Sequence, residues 1–277
     1  MSKHYILFLH KNITLHYMRE TIIIIMAGGL GKRMNSYLPK VLHKIVGKPM
    51  LAHVIQQAKL LSPLKILIVV GKYKDVIETT LREYISLDNI EFIIQSEALG
   101  TGHAIQCCRD TLLQYDNTNV IILSGDTPLL QSTTISDMLI GFKIAKIVTT
   151  HMDIPTGYGR IIEEGGFFDK IVEEKDCSIE QKLTKNVNCG VYAFDATILC
   201  KYLPLLTNQN AQNEYYLTDI IELIKNGEKI HIDLYDIPIK QQREIIGVNT
   251  IDQLLELEEM ITPESLQHNA DFSERWV

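Results

Sequence analysis

Thr21-Ile-Ile-Ile-Ile-Met-Ala-Gly-Gly-Leu-Gly-Lys-Arg-Met34 is the stretch on which the fold turns. Its first six residues are apolar without alternation and rich in β-branched side chains. That is the pattern of a strand covered on both faces. Gly28, Gly29 and Gly31 follow at once. A glycine-rich turn at a strand end exposes backbone N–H groups to an anion and lets the chain come close to it. The spacing is not G-x-G-x-x-G, and no Ser or Thr follows Gly31-Lys32. The turn is therefore neither the dinucleotide fingerprint nor a P-loop. Lys32, Arg33 and Lys40 lie just downstream. Arginine grips phosphate in bidentate fashion and lysine as a point charge, which is the equipment a triphosphate needs. On the glycines alone, an ordinary strand-to-helix turn is the competing reading.

Outward from this stretch the rhythm is regular. Lys65-Ile-Leu-Ile-Val-Val70, Glu91-Phe-Ile-Ile94 and Asn119-Val-Ile-Ile-Leu123 read as further strands buried on both faces. Between them lie helical periods. Met50, Leu51, Val54, Ile55, Ala58 and Leu61 share one helix face, with Pro49 suited to the first helical position. Residues 75–84 and 102–113 are further helix candidates. Strands alternating with helices predict a Rossmann-like α/β fold, a doubly wound, mostly parallel sheet. After about residue 145 the turns tighten. Strands at 146–150, 159–162, 170–172 and 191–194 predict a smaller mixed-sheet lobe. A last helix is expected over 251–261, with Ile251, Leu254, Leu255 and Met260 on its apolar side. Residues 1–20 form an extension: either Lys11-Asn12 turns a small hairpin, or the segment before Met18 is not translated.

Composition narrows the function. The chain has 277 residues, and 27 basic against 34 acidic side chains give a net charge of −7. Duplex binding and polybasic membrane contact both rest on clustered Lys and Arg, so neither is expected. No apolar run reaches the length of a spanning helix. Five cysteines without a Cys-x-x-Cys pair argue against a disulfide scaffold or zinc ribbon and for a reducing, cytoplasmic setting. His103 with Cys107 and Cys108 has helical ligand spacing but lacks the remaining ligands of a zinc site.

Two further segments carry chemistry. Gln95 follows a strand, and its amide offers both a donor and an acceptor. Gly125-Asp126 ends another strand, where ligands of such sheets bind, and a carboxylate there is placed to hold a metal. Gly28-Gly-Leu-Gly-Lys-Arg-Met-x-Ser-x-Leu-Pro-Lys-Val-Leu-His43 resembles the signature of the sugar-1-phosphate nucleotidyltransferase family. The resemblance is strongest to its N-acetylglucosamine-1-phosphate uridyltransferase branch. It recurs in family order at Gln95-Ser-Glu-Ala-Leu-Gly-Thr-Gly-His-Ala104, Gly125-Asp-Thr-Pro-Leu-Leu130, Pro155-Thr-Gly-Tyr-Gly-Arg-Ile161, Ile171-Val-Glu-Glu-Lys-Asp176, Asn188-Cys-Gly190, Asn210-Ala-Gln-Asn-Glu-Tyr-Tyr-Leu-Thr-Asp219 and Gly247-Val-Asn249. No single segment is specific, but the ordered set is.

The resemblance implies transfer of UMP from UTP to N-acetyl-α-D-glucosamine 1-phosphate, with UTP and the sugar phosphate as small-molecule partners and Mg²⁺ as cofactor. By the same resemblance Met26, Ala27, Gly28 and Gly29 cradle phosphates. Gln95, Gly100 and Thr101 read the base, and Ser124, Gly125 and Asp126 complete the nucleotide side. Arg33 and Lys40 are the catalytic cations, and Asp126 and Asn249 hold the metal. Gly159, Glu173, Asn188, Tyr216 and Thr218 line the sugar site. The nucleotide lobe would span about 21–145 and the sugar lobe about 146–249, with a helix and tail over 251–277. A sugar 1-phosphate is already ionised near neutral pH, so the neighbours Glu173 and Glu174 are not expected to act as an acid–base couple. The bacterial relatives add a left-handed β-helix with acetyltransferase activity. No hexapeptide repeat is present here, so the resemblance implies neither that activity nor the trimer it builds. Three departures stand out: the turn Met26-Ala-Gly-Gly29 where Leu-Ala-Ala-Gly is usual, Cys189 for a small hydroxyl residue, and Asn213 for Gly. The last two lie toward the sugar lobe, which keeps two other readings open: a nucleotidyltransferase for glucose or galactosamine 1-phosphate, or a catalytically silent sugar-nucleotide-binding protein.

Overall fold

The computed structural model describes residues 19–29, 31–115 and 117–261. The expectations for residues 1–18 and 262–277, and for the side chain of Lys32, lie outside the described residues. The nucleotide half begins with β1 (Thr21–Met26), a two-strand ribbon of β2 (Lys44–Ile45) and β3 (Lys48–Pro49), and α1 (Met50–Lys59). It continues through β4 (Lys65–Val70), α2 (Lys74–Arg82), β5 (Ile90–Ile94), α3 (Thr101–Gln106), α4 (Arg109–Leu112), β6 (Asn119–Ser124) and α5 (Ser132–Met138). The second half contains β7 (Ala145–His151), β8 (Arg160–Glu164), β9 (Phe167–Val172), β10 (Asn186–Asp195), α6 (Ala196–Tyr202), α7 (Asp219–Glu228), β11 (Asp233–Asp236) and α8 (Ile251–Ile261).

The isoleucine run explains the layering. Side chains alternate along a strand, so β1 sends Ile22 and Ile24 to one face and Ile23 and Ile25 to the other. All four are fully buried. Ile22 and Ile24 pack among residues of α3, α4, α6 and α7, and Ile23 and Ile25 among residues of α1, α2 and α5. Burying each such side chain stabilises the fold by roughly 2 kcal/mol. β1 therefore lies in mid-sheet, parallel to β4 on one side and to β6 on the other. The chain steps outward from β1 to β4 to β5, then returns to the far side of β1 with β6. This change of direction is the topological switch point, and the carboxyl ends of β1 and β6 open beside it.

The strands after residue 145 extend the same sheet, in the order β5-β4-β1-β6-β10-β7-β11. β10 is antiparallel to both β6 and β7, and β11 is parallel to β7. The hairpin β8–β9 stands off this path and pairs with β10 at Val187 opposite Arg160. A shift in pairing between Asn188 and Tyr192 bends β10 out of the plane where the hairpin joins.

Four local expectations differ from the structure. β5 is an edge strand with β4 as its one neighbour, so its residues are half-buried and Ile94 is 50% exposed, where burial on both faces was expected. The predicted helix over 102–113 is broken into α3 and α4 by a turn at Cys107 and Cys108. Pro49 sits one place before the helix, held extended by its pairing with Lys44. On α8 the buried side is Leu254 and Leu257, while Ile251, Leu255 and Met260 are exposed. Leu254, Leu257 and Ile261 fall at i, i+3 and i+7, and that stripe packs with Ile45, Met50 and Val248.

Candidate active site

The turn after β1 is built by its neighbours. Ala27 donates its N–H to Val69 O and buries its methyl, and Met26 O accepts the Gly125 N–H at 2.9 Å. Met26 and Ala27 thus tie the turn to β4 and to the end of β6. Among the described residues no partner takes the amides of Gly28 and Gly29, so these two are positioned to meet an anion. Gly31 has φ +58°, and a Cβ there would lie 2.7 Å from Lys40 Cβ. Its lack of a side chain lets the segment carrying Lys40 fold back under the turn. Gly125 is similarly constrained, since a Cβ would lie 3.1 Å from Met26 O. Ser124 ends β6 opposite Met26, and its carbonyl accepts the Thr127 hydroxyl at 2.8 Å.

Four side chains from distant parts of the chain meet at this opening. Lys40 Nζ is ion-paired with Asp126 Oδ2 and lies 3.0 Å from Asn249 Oδ1. Arg33 donates to the same Asn249 oxygen at 2.9 Å. Val248 N–H bonds Asp126 O, locking the 247–249 segment onto the β6 turn. The start of α8 fixes Asn249 further. Gln253 Oε1 accepts the N–H groups of Asn249 (2.7 Å) and Thr250 (3.2 Å), and Thr250 Oγ1 accepts the Gln253 N–H. This is a capping box, with Gln at the third helical position. Asp126 Oδ2 and Asn249 Oδ1 both face the ammonium of Lys40, so two hard oxygen donors are aimed at one cation position. That donor set fits Mg²⁺, which takes one or two protein oxygens and completes its shell with phosphate and water. Among the described residues no three His, Cys, Asp or Glu side chains gather to make a metal cage.

The expected base-reading residues also come together. Gln95 is 8% exposed, and its Nε2 donates to Gly100 O at 3.0 Å. Gly100 (φ +112°) could not carry a side chain, because a Cβ would lie 2.5 Å from Tyr215 O. Around it the 99–102 loop is laced to 214–217. Tyr215 N–H bonds Leu99 O at 2.8 Å, Gly102 N–H bonds Tyr215 O at 2.7 Å, and Leu217 N–H bonds Thr101 Oγ1 at 3.0 Å.

Residues assigned to the sugar form a second group. A Cβ on Gly159 would meet Glu173 Oε2 at 3.5 Å and Asn188 Cβ at 3.7 Å, and Asn188 N–H bonds Gly159 O. Thr218 donates to Glu173 Oε1 at 2.9 Å, and Tyr216 donates to Asp176 Oδ2 at 3.0 Å. Asn188 Nδ2 donates to the Tyr192 hydroxyl at 2.7 Å. Burial raises the carboxyl of Glu173, with Asp176 and Glu214 adding repulsion. Burial, then the charges of Glu173, Glu222 and Asp176, push Asp219 up to about 6. Glu174 points elsewhere and pairs with Arg160 at 2.6 Å, so the two neighbouring glutamates do not act as a couple. The two departures nearest this lobe have physical explanations. Cys189 is buried in the core on the face toward Val148 and Ile237. Asn213 has φ +54°, a conformation that favours Gly and that Asn tolerates best among the others.

Two residues were quoted in the sequence motifs without a role. Arg160 is 2% exposed and also bonds the Tyr158 carbonyl, so it anchors the loop before β8. The Tyr158 hydroxyl meets the backbone of Gly247 within the field of Asp126, and burial raises it. Their pattern carried no functional signal, because a Tyr and an Arg beside a glycine turn read equally well as packing.

Comparison with known proteins agrees with this geometry. Residues 23–153 match the model of the MobA-like NTP transferase domain. The chain is 42% identical over 237 residues to the "Probable UDP-N-acetylglucosamine pyrophosphorylase" of Acanthamoeba polyphaga mimivirus, covering 84% of this chain and 92% of that one. It is 41% identical over 251 residues to the "Bifunctional protein GlmU" of Caldanaerobacter subterraneus subsp. tengcongensis, of which it spans 52%. The crystal structure of a UDP-glucose pyrophosphorylase complexed with UDP-glucose superposes with a TM-score of 0.68 at 17% identity, over 87% of this chain and 97% of the other. At that identity the likeness is one of fold. The 42% identity across 92% of the mimivirus protein shows that this chain belongs to the UDP-N-acetylglucosamine pyrophosphorylase family of nucleotidyltransferases.

Proposed function

We propose that this enzyme transfers UMP from UTP to N-acetyl-α-D-glucosamine 1-phosphate, releasing pyrophosphate and UDP-N-acetylglucosamine. The observation that carries the reading is the meeting of Lys40, Arg33, Asp126 and Asn249 at the switch point, beside the open amides of Gly28 and Gly29. The uridine base lies against Gln95, Gly100 and Thr101, and the triphosphate crosses the glycine turn. The sugar is held by Gly159, Glu173, Asn188, Tyr216 and Thr218. The sugar-phosphate oxygen attacks the α-phosphorus in line as pyrophosphate departs on the opposite side. The nucleophile is already an anion, so no residue removes a proton. Lys40 holds nucleotide phosphate oxygens and Arg33 takes the charge that grows on pyrophosphate. Mg²⁺ held by Asp126 and Asn249 would neutralise phosphate charge. Glu173 stays in its acceptor role toward sugar hydroxyls, kept in place by the Thr218 hydroxyl. Among the described residues no helix is long and apolar enough to cross a membrane, and five free cysteines suit a reducing, cytoplasmic location.

Pyrophosphate release from purified protein with UTP, Mg²⁺ and a panel of sugar 1-phosphates tests this. Release with N-acetylglucosamine 1-phosphate, abolished by EDTA, is the expected result. Release with a different sugar alone would reassign the pocket around Glu173 and Asn188. Binding of UTP without release with any sugar would make the protein a silent binder.

A further inference from the structure

His103 stands directly behind Gln95. Its Nδ1 lies 3.2 Å from Gln95 Nε2 and 3.1 Å from Glu97 O, and its Nε2 faces Cys107 Sγ at 4.0 Å. The hydrogen-bonding needs of these groups decide how they pair. Glu97 O accepts the Leu99 N–H at 2.9 Å, so it keeps a partner whichever ring nitrogen of His103 carries the proton. Gln95 is buried, and one N–H of its amide goes to Gly100 O. The second N–H needs an acceptor, because a buried donor left unpaired is costly. His103 Nδ1 is that acceptor when the ring carries its proton on Nε2, toward the Cys107 sulfur. A flipped Gln95 amide would set its oxygen against Gly100 O and the lone pair of Nδ1, so the network excludes the flip. The remaining atom, Gln95 Oε1, faces the glycine turn, 3.1 Å from where a Cβ on Gly28 would stand. Gly28, where the family usually has Ala, leaves that oxygen room.

We infer that His103 is a positioning residue for base selection: with Gly100 O it occupies both N–H groups of Gln95, so that Gln95 meets the base as an acceptor only. This rests on the proposed placing of the base against Gln95, and it revises the sequence expectation that the amide offers both donor and acceptor. An acceptor-only amide takes a base with a ring N–H at the contact, as uracil has at N3. Cytosine presents an acceptor at that position and is refused.

The test is the ratio of kcat/KM for UTP to that for CTP, with UTP and CTP affinities measured by calorimetry beside it. In His103→Ala the amide loses one of its two restraints, and the preference for UTP is expected to fall about tenfold. His103→Asn, whose amide oxygen can accept from Gln95 Nε2, is expected to restore most of it. An unchanged ratio in His103→Ala, or equal losses with both nucleotides, would overturn the assignment. Gln95→Ala separates this from the underlying reading. If that variant keeps the wild-type ratio, the base does not lie on Gln95 and the proposed pocket fails. If Gln95→Ala loses the ratio and His103→Ala keeps it, only the role of His103 fails. Should His103→Ala not fold, ¹⁵N spectra of the wild-type ring decide: an unprotonated Nδ1 supports the assignment and a protonated one overturns it.

Discussion

Arg33 and Lys40 meet Asn249 from a different part of the chain, and Lys40 reaches Asp126 as well. Removing one charge-stabilising contact typically lowers turnover by roughly 10²–10³. Arg33 is exposed and supports no buried contact, so Arg33→Ala is expected to lose that much pyrophosphate release while its melting temperature stays within a degree or two of wild type. Asp219 gives a prediction about stability. Its carboxyl is raised to about 6 in the fold from an ordinary value near 3.8, so the folded state binds more protons than the unfolded one between those values. Its contribution to stability therefore falls as pH rises from about 4 to 6 and stays low above. Asp219→Asn is expected to melt higher than wild type at pH 7.5, with the advantage gone at pH 4; melting curves at the two values check it. At this scale the sequence was legible wherever a residue type is scarce in its setting, such as glycine at a strand end or an acid after a buried strand. Tyr158, Arg160 and His103 were not legible. Their roles depend on which neighbour each polar atom faces, and no spacing along the chain encodes that.

Elements place these residues with little slack. The 99–102 loop lies against 214–217 at a distance that admits only hydrogen at Gly100. Gly100→Ala adds both a backbone clash and a side chain at positive φ, a combined cost of about 3 kcal/mol. Urea unfolding is expected to show it, along with weakened UTP binding. The capping box of α8 makes a different prediction. Gln253→Ala removes the acceptor that fixes the Asn249 and Thr250 amides, costing about 1 kcal/mol, the usual worth of a cap. On the proposed metal role of Asn249 it should also raise the divalent-metal concentration needed for half-maximal activity, which a metal titration of the variant reads. Helix faces were largely readable from periodicity, as α1 shows, because Met50, Leu51, Val54, Ile55 and Ala58 of the expected stripe are all buried in the core. The face of α8 was not, because Ile251 and Leu255 make one apolar stripe and Leu254 and Leu257 another beside it, with Met260 on the side opposite Ile251. The choice between the two stripes was made by contact with Ile45, Met50 and Val248, which the local sequence does not contain.

Across the whole molecule, one sheet carries both groups of candidate site residues. The parallel half was visible in the sequence because its strands are continuous apolar runs separated by helical periods. The position of β10 was not. An apolar run states that a strand is covered on both faces and is silent about its neighbours, and β10 pairs with β6 across some seventy residues of chain. The strands of the expected mixed-sheet lobe belong to this same sheet, continued through one reversed strand. The Lys40–Asp126 pair has a consequence at this scale. A carboxylate waiting for a metal usually leaves an apoprotein with an unbalanced negative charge, and such proteins loosen when chelated. On the proposed metal role of Asp126, Lys40 of the same chain already balances that carboxylate. Chelation should therefore stop the reaction and leave the heat stability of the free protein untouched. Catalysis would then answer to the metal ion and folding to the ammonium of Lys40.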